Sequence, residues 1–318
     1  MVRTPLALQE VDEVQITLVM DNSIDVLMAS TEVAKRFSRG ANPFDHLQPI
    51  AEHGFSALIR VKKGGKNGTV LLDTGVSGRG ILNNLDALDI NASDIQAIIL
   101  SHGHPDHTMG LPGLMDRLGT RNLPLVLHPD ACLERKVILP DGTETNIPPL
   151  RKEDLRREKI AMIEEVNPSM LTDGMVLVSG EVARTTDFEK GFPVHYSKRH
   201  DVWEPDPLIM DDQCAIMHVR GKGLVIVTGC GHAGIINIIR YAQTLTGVEK
   251  IYAVVGGFHL TGGLFETIIP ATTAALQKIN PRYVMPGHCT GWSAIHQIAR
   301  MMPEAFIPNS VGTTLILQ

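Results

Sequence analysis

A chain of 318 residues, 43% of them hydrophobic, can bury a substantial core, and no apolar run in it approaches the roughly 18 residues of a membrane-crossing helix. Its formal charge of −6 gives nucleic acid no general attraction, and its cysteines (Cys132, Cys214, Cys230 and Cys289) are too scattered for a disulfide framework or a zinc ribbon. The first ten residues lack the apolar stretch of a secretory signal, so the expected location is cytoplasmic, with self-association left open.

In chain order, Glu13 to Met20 alternates polar and apolar residues, as a half-buried strand does. Ser56–Val61 and Thr69–Leu72 read as strands around a hairpin loop from Lys62 to Gly68. Residues 79–90 predict a helix, Ile98-Ile99-Leu100 a buried strand, and Leu125–His128 another. The charged stretch 133–168 has nearly balanced acids and bases, which predicts a solvated, part-helical insertion. Strands follow at 175–178, 215–219 and 224–228, with a loop over about 184–212. The last third alternates helix 234–246, strand 251–255, helix 267–279, strand 282–285 and helix 292–301. Hairpins early and strand–helix units late mark a layered α/β architecture, counted as a single domain over 1–318.

Against this background His102-Gly103-His104-Pro105-Asp106-His107 packs three imidazoles and a carboxylate into one short turn after a buried strand. Such donors suit zinc, and also iron or manganese. In an extended segment His102 and His104 point to the same side. The chain then turns at Pro105, so Asp106 and His107 can face a second position, which fits a pair of metals better than one closed site. His232 and His288 each follow an apolar strand and precede a helix, at the strand ends where sites in layered α/β proteins gather.

Residues 102–107 read as the His-X-His-X-Asp-His signature of the metallo-β-lactamase superfamily, and the chain resembles that superfamily over most of its length. Val70–Gly75 resembles the strand and aspartate before the signature, and Val284–Cys289 the late strand and histidine that close the site. More narrowly, Ala51–Ser56, Thr228–Gly234 and Gly256–His259 resemble the dihydropterin-related, ribofuranosylaminobenzene phosphate synthase-like metallohydrolases. The resemblance implies a four-layer αββα sandwich with two divalent ions, zinc first and manganese or iron as alternatives. It implies a metal-dependent hydrolase in which metal-activated hydroxide attacks a small anionic substrate, phosphorylated or pterin-like. His102, His104 and His232 would hold one ion; Asp106, His107 and His288 would hold the other, with Asp106 also orienting the nucleophile. Asp73 would support ligands through hydrogen bonds. Two departures stand out. The usual mid-chain histidine is missing, with Glu181 the nearest polar candidate, and Cys230 and His232 lie where a bridging aspartate is common. Whether Glu181, Cys230 or neither replaces the missing ligand stays open.

His259 ends the next strand as a ligand, a proton shuttle or a substrate contact, the last two being favoured. Glu52 and His53 either line the same cleft or serve as a cap and a solvent-facing group. The loop 184–212 concentrates Phe188, Phe192, Tyr196 and Trp203 among basic residues. It is either a lid, with Phe188 and Trp203 stacking on substrate, or a loop folding its rings onto the core. Asp73-Thr74-Gly75 also matches the aspartic-protease triplet, but no second triplet occurs. Gly229-X-Gly231-X-X-Gly234 matches the dinucleotide fingerprint, yet the next strand ends without the acid that motif needs. These glycines could still free backbone N–H groups for a substrate phosphate near Gly231. The alternatives to a hydrolase are a nucleotide-binding oxidoreductase and a non-catalytic metal-binding protein on the same fold.

Overall fold

The computed structural model describes residues 5–37, 47–119, 122–157 and 160–318. Met1–Thr4 of the N-terminal reading, and Glu158 and Lys159 of the charged insertion, lie outside the described residues. An eight-stranded sheet runs in the order Ala161–Glu164, Pro124–Leu127, Ala97–Ile99, Lys66–Leu72, Ser56–Lys63, Glu13–Met20, Thr314–Leu317, Ala34–Lys35. Facing it is a seven-stranded sheet in the order Ser169–Leu171, Val176–Val178, Cys214–Val219, Gly223–Thr228, Ile251–Gly257, Tyr283–Gly287, with Glu10–Val11 added beside Cys214–Val219. A smaller sheet joins Val202–Pro205, His195–Arg199, Arg135–Ile138 and Glu144–Ile147.

The period of two along each strand explains the layering. Val70 and Leu72 enter the core between the two large sheets, while Leu71 points the other way, into a second cluster with Ile81, Leu85, Leu111 and Leu114. Those four residues belong to helices Gly78–Ala87 and Leu111–Leu118. Likewise Val225 and Val227 face the central core, whereas Leu224 and Ile226 pack with helices Ile235–Thr246, Ile269–Ile279 and Trp292–Met301. Both faces of both sheets are covered, so the strands read as nearly continuous apolar runs. The result is the expected αββα sandwich. Each fully buried aliphatic side chain contributes about 1.5–3 kcal/mol, so three such clusters are the main source of the scaffold's stability.

Three local expectations are corrected. The hairpin after Lys63 closes through Gly64 and Gly65 alone, both at positive φ, so the flanking strands run longer than expected. The stretch 133–168 holds helix Lys152–Arg157, but also three strands, one of them (Ala161–Glu164) extending the large sheet beside Pro124–Leu127. The loop 184–212 holds the hairpin His195–Arg199 and Val202–Pro205, which pairs through His195–Ser197 with Arg135–Val137. These strands are short and rich in charge, so no apolar alternation announces them. Among the described residues no helix is long and apolar enough to cross a membrane.

Candidate metal centre

The signature turn is held at several points by groups far away in sequence. Asp73 follows the strand Lys66–Leu72 at φ +60° and accepts from the Ser101 backbone N–H at 2.7 Å and from the Ser101 hydroxyl at 2.7 Å. The same carboxylate takes His107 Nδ1 at 2.6 Å. Because a carboxylate only accepts, His107 Nδ1 carries a proton, and Nε2 is the atom turned toward the centre. Ser101 spends its proton on Asp73, so its oxygen accepts from His102 Nδ1 at 2.9 Å. That leaves His102 Nε2 as a buried lone pair with no partner. Gly103 donates to Asp211 at 2.8 Å, and a Cβ there would lie 1.9 Å from the Ala131 carbonyl, so only glycine fits.

His104 is oriented by a residue that no motif marks. His195 Nδ1 meets the Asp206 carbonyl at 2.9 Å, and a carbonyl only accepts, so His195 is protonated on Nδ1. Burial holds the His195 imidazole down at about 4, hence neutral, and its Nε2 must be an acceptor. His104 Nε2, 3.2 Å away, is then the donor, and His104 Nδ1 keeps its lone pair. His288 follows the same logic: its Nδ1 donates to Asn22 Oδ1 at 3.0 Å, while Asp21 accepts the His288 backbone N–H at 3.0 Å.

The freed atoms fall into two sets. Ligand atoms of His102, His104 and His232 lie within 4.8 Å of one another, with His104 Nδ1 and His232 Nε2 at 3.2 Å. Asp106, His107, Cys230 and His288 form the second set. There His107 Nε2 lies 3.1 Å from Cys230 Sγ and 3.5 Å from Asp106 Oδ2, and His288 Nε2 lies 3.4 Å and 3.3 Å from the same two atoms. Tetrahedral zinc with Zn–N of about 2.0–2.1 Å would set its ligand atoms about 3.3 Å apart. Both sets therefore fit a divalent ion, in spacing and in donor chemistry.

Their electrostatics differ. Burial, aided by neighbouring imidazoles and, at His102 and His104, by Arg135, drives His102, His104 and His232 well below the usual histidine range, so all three are neutral. Burial also opposes charge on His107, but Asp106 and Asp73 outweigh it and hold His107 well above its usual value. Burial opposes charge on His288 as well, and Cys289 and Asp106 raise it. Asp106, despite burial, is held far below the carboxylate range by His107 and His288. Burial pushes the Cys230 thiol well up. The second set thus keeps protons that a cation must displace.

The remaining predicted residues scatter. His259 sits at φ +40° with its ring 4.1 Å from His232 and a buried Nδ1 without a partner, and it also groups with Cys230 and Cys289. His53 lies on the rim, 71% exposed, with Nε2 3.6 Å from Asp106. Glu52 points elsewhere: it accepts from the Ser77 hydroxyl, the cap of helix Gly78–Ala87, at 2.7 Å. Phe188 and Gly231 line a cavity of about 360 Å³ together with His232, His259 and Lys190. The backbone amides beyond Gly231 are not free, however. Glu189 takes the N–H groups of Ile236 and Asn237 at 2.9 Å each, and Asp212 takes that of Ala233. Trp203 faces Lys136, whose ammonium sits 4.7 Å over its ring, and is not among the residues lining that cavity. Glu181 pairs with His128 at 3.0 Å and joins neither set, whereas Cys230 joins the second. Sequence reasoning missed His195, Asp211, Asp21 and Asn22 as supports.

Residues 50–163 match the model of the Metallo-beta-lactamase superfamily. A Methanocaldococcus jannaschii protein named 7,8-dihydropterin-6-methyl-4-(beta-D-ribofuranosyl)-aminobenzene-5'-phosphate synthase is 32% identical over 268 residues, 80% of this chain and 87% of its own. The chain belongs to the metallo-β-lactamase superfamily. An uncharacterized protein of the same organism is 29% identical, with 83% of this chain and 93% of that one aligned. Among solved structures, a metal-dependent hydrolase of the beta-lactamase superfamily superposes with a TM-score of 0.71 at 23% identity, covering 96% of this chain and 98% of that one. Unliganded yeast PDE1 gives 0.53 at 12% identity, over 97% and 100% of the two chains. These two structural likenesses speak for the superfamily fold alone.

Proposed function

We propose that the chain is a metal-dependent hydrolase of a small anionic ester, with two divalent ions, zinc by preference. The observation that carries this reading is the pair of adjacent donor sets, His102/His104/His232 and Asp106/His107/Cys230/His288, in which four of the five imidazoles are oriented by fixed outer contacts. When bound, such ions lower the pKa of water toward about 7 and polarise an ester oxygen. The seven donors include one carboxylate and one thiol, so two divalent ions leave the centre net positive, which favours an anionic substrate.

The chain's own side chains supply positioning. Asp73, Ser101, His195 and Asn22 orient His107, His102, His104 and His288, so these ligand atoms face the centre before anything binds. His259, with its unpartnered Nδ1 at the cavity wall, is placed to take or return a proton at that atom. Phe188 and Phe265 give the same wall an apolar surface. The name of the M. jannaschii relative makes pterin and ribofuranosyl phosphates the first compounds to try. The test is a turnover screen of phosphoesters, lactones and pterin phosphates by zinc-loaded protein, with product analysis. Hydrolysis abolished by a chelator is the expected result. Turnover that survives the chelator, or condensation without any hydrolysis, would overturn the reading.

A further inference from the structure

Cys230 Sγ belongs to two groups of donors at once. It stands with Asp106, His107 and His288 in the second set, and with Cys289 and His259 in a further cluster whose ligand atoms lie within 4.8 Å of one another. The two cysteines are 59 positions apart in sequence. Cys230 follows the strand Gly223–Thr228 and Cys289 the strand Tyr283–Gly287, with Ile251–Gly257 between those strands in the sheet. Gly257, at the end of the middle strand, keeps the space between them open. A Cβ there would lie 2.9 Å from Cys289 Sγ and 3.1 Å from Cys230 Cα. The Cys289 thiol donates to the Cys230 carbonyl at 3.2 Å, so it already leans over its neighbour's backbone.

The two thiols differ in access. Cys289 lines a cavity of about 730 Å³ whose wall also carries His53 and Trp292, 71% and 77% exposed, so a small solute reaches it from solvent. Cys230 is not among the residues lining that cavity. Its sulfur faces His107 Nε2 at 3.1 Å and His288 Nε2 at 3.4 Å. The thiolate is the form that binds a metal, so this one sulfur serves either an ion or a second sulfur.

We infer that Cys230 and Cys289 are a redox pair, which a hydroperoxide joins in a disulfide that withdraws Cys230 from the second donor set. Cys289 Sγ attacks hydrogen peroxide in the cavity and breaks its O–O bond. The sulfur gives up two electrons and becomes a sulfenic acid, and one water leaves. Cys230 Sγ then displaces the sulfenic hydroxyl, which departs as a second water with the Cys230 proton as the S–S bond forms. Closure brings the sulfurs, now within 4.8 Å, to about 2.05 Å by rotation about the two Cα–Cβ bonds. The first set carries no sulfur and is untouched.

The loss of an ion rests on the proposed two-ion reading, whereas the bond itself is measured on metal-free protein. That protein would be treated with hydrogen peroxide, digested without reductant and mapped by mass spectrometry. The Cys230 and Cys289 peptides should be linked and the free thiols should fall from four to two, both changes being reversed by a phosphine reductant. After dialysis against buffered zinc, the reduced chain should hold two ions and the oxidised chain one. By reciprocity, zinc-loaded protein should form the bond at least about tenfold less readily at equilibrium. Cys289→Ser should keep two ions through the same treatment. Linkage to Cys132 or Cys214, sulfinic acid without a bond, or a Cys289→Ser chain that loses its ion as readily would overturn the pair. A Cys230–Cys289 bond that leaves both ions in place would overturn its effect on the second set. If the bond forms but the reduced chain binds no ion, the pair stands and the two-ion reading alone falls.

Discussion

The two donor sets of the candidate metal centre are built on different electrostatic plans. His102, His104 and His232 are neutral before any ion arrives, and two of them are oriented by neutral partners, Ser101 and His195. The second set mixes a carboxylate, a thiol and two imidazoles, and the charges of Asp106 and Asp73 are balanced by protons on His107 and His288. The first set is therefore ready for an ion at neutral pH, and the second must exchange protons for one. The supports differ too. His104 depends on the small sheet through His195, whereas His288 depends on Asp21 and Asn22, just after the strand Glu13–Met20 of the large sheet.

The largest effects should come from striking each half separately. His104→Ala removes a donor from the first set and Asp106→Asn weakens one in the second; each should lower turnover at least about a hundredfold. Circular dichroism should still report a folded chain, because the three apolar clusters do not involve these residues. Near-normal turnover in either variant would show that its half is dispensable. Next comes Asp211, which accepts from Gly103 and pairs with Arg135 at 2.6 Å, both side chains being almost wholly buried. Asp211→Ala strands a buried guanidinium and should cost about 3–5 kcal/mol in urea unfolding. A loss under about 1 kcal/mol would mean that solvent reaches Arg135.

How much of this was legible beforehand depends on sequence distance. The signature turn is local, and the strands of the two large sheets carry long apolar runs, so both could be read from residue order. Cys230 stood in the right place but could not be told from a small buried thiol until His107 and His288 were seen beside it. His195 lies 91 positions from His104, and Asn22 lies 266 from His288; no periodicity links such pairs. The glycines near 231 suggested open amides, yet Glu189 arrives from 47 and 48 positions away to cap them. Clustering along the chain drew attention to Trp203, which the fold sets against Lys136, while Trp292, isolated in sequence, lines a cavity together with His288.

Smaller effects should sharpen the contrast between the halves. His195→Ala should weaken the ion at the first set about ten- to a hundredfold while sparing the second, and His195→Gln should restore part of it. Asn22→Ala should do the reverse. Chelator competition on each variant separates the two; equal weakening of both ions would merge the halves into one unit. The pH dependence follows from the charges. His107 and His288 are raised, so protons compete with an ion at the second set and its affinity should climb as pH rises through neutrality. The first-set histidines are lowered and already unprotonated, so their affinity should stay nearly flat over that range. The smallest change in metal content should come from His259→Ala, which should lower turnover at full occupancy, whereas His232→Ala should lose metal. The opposite pattern would reverse the roles of these two histidines.

The most direct measurement is metal stoichiometry after equilibrium dialysis against buffered zinc, made on the unaltered chain, on His104→Ala and on Cys230→Ser together with Asp106→Asn. Two ions per chain are predicted for the first and one for each of the others, the survivor differing between them. No bound ion in the unaltered chain, or the same count in all three, would contradict a centre made of two separable halves.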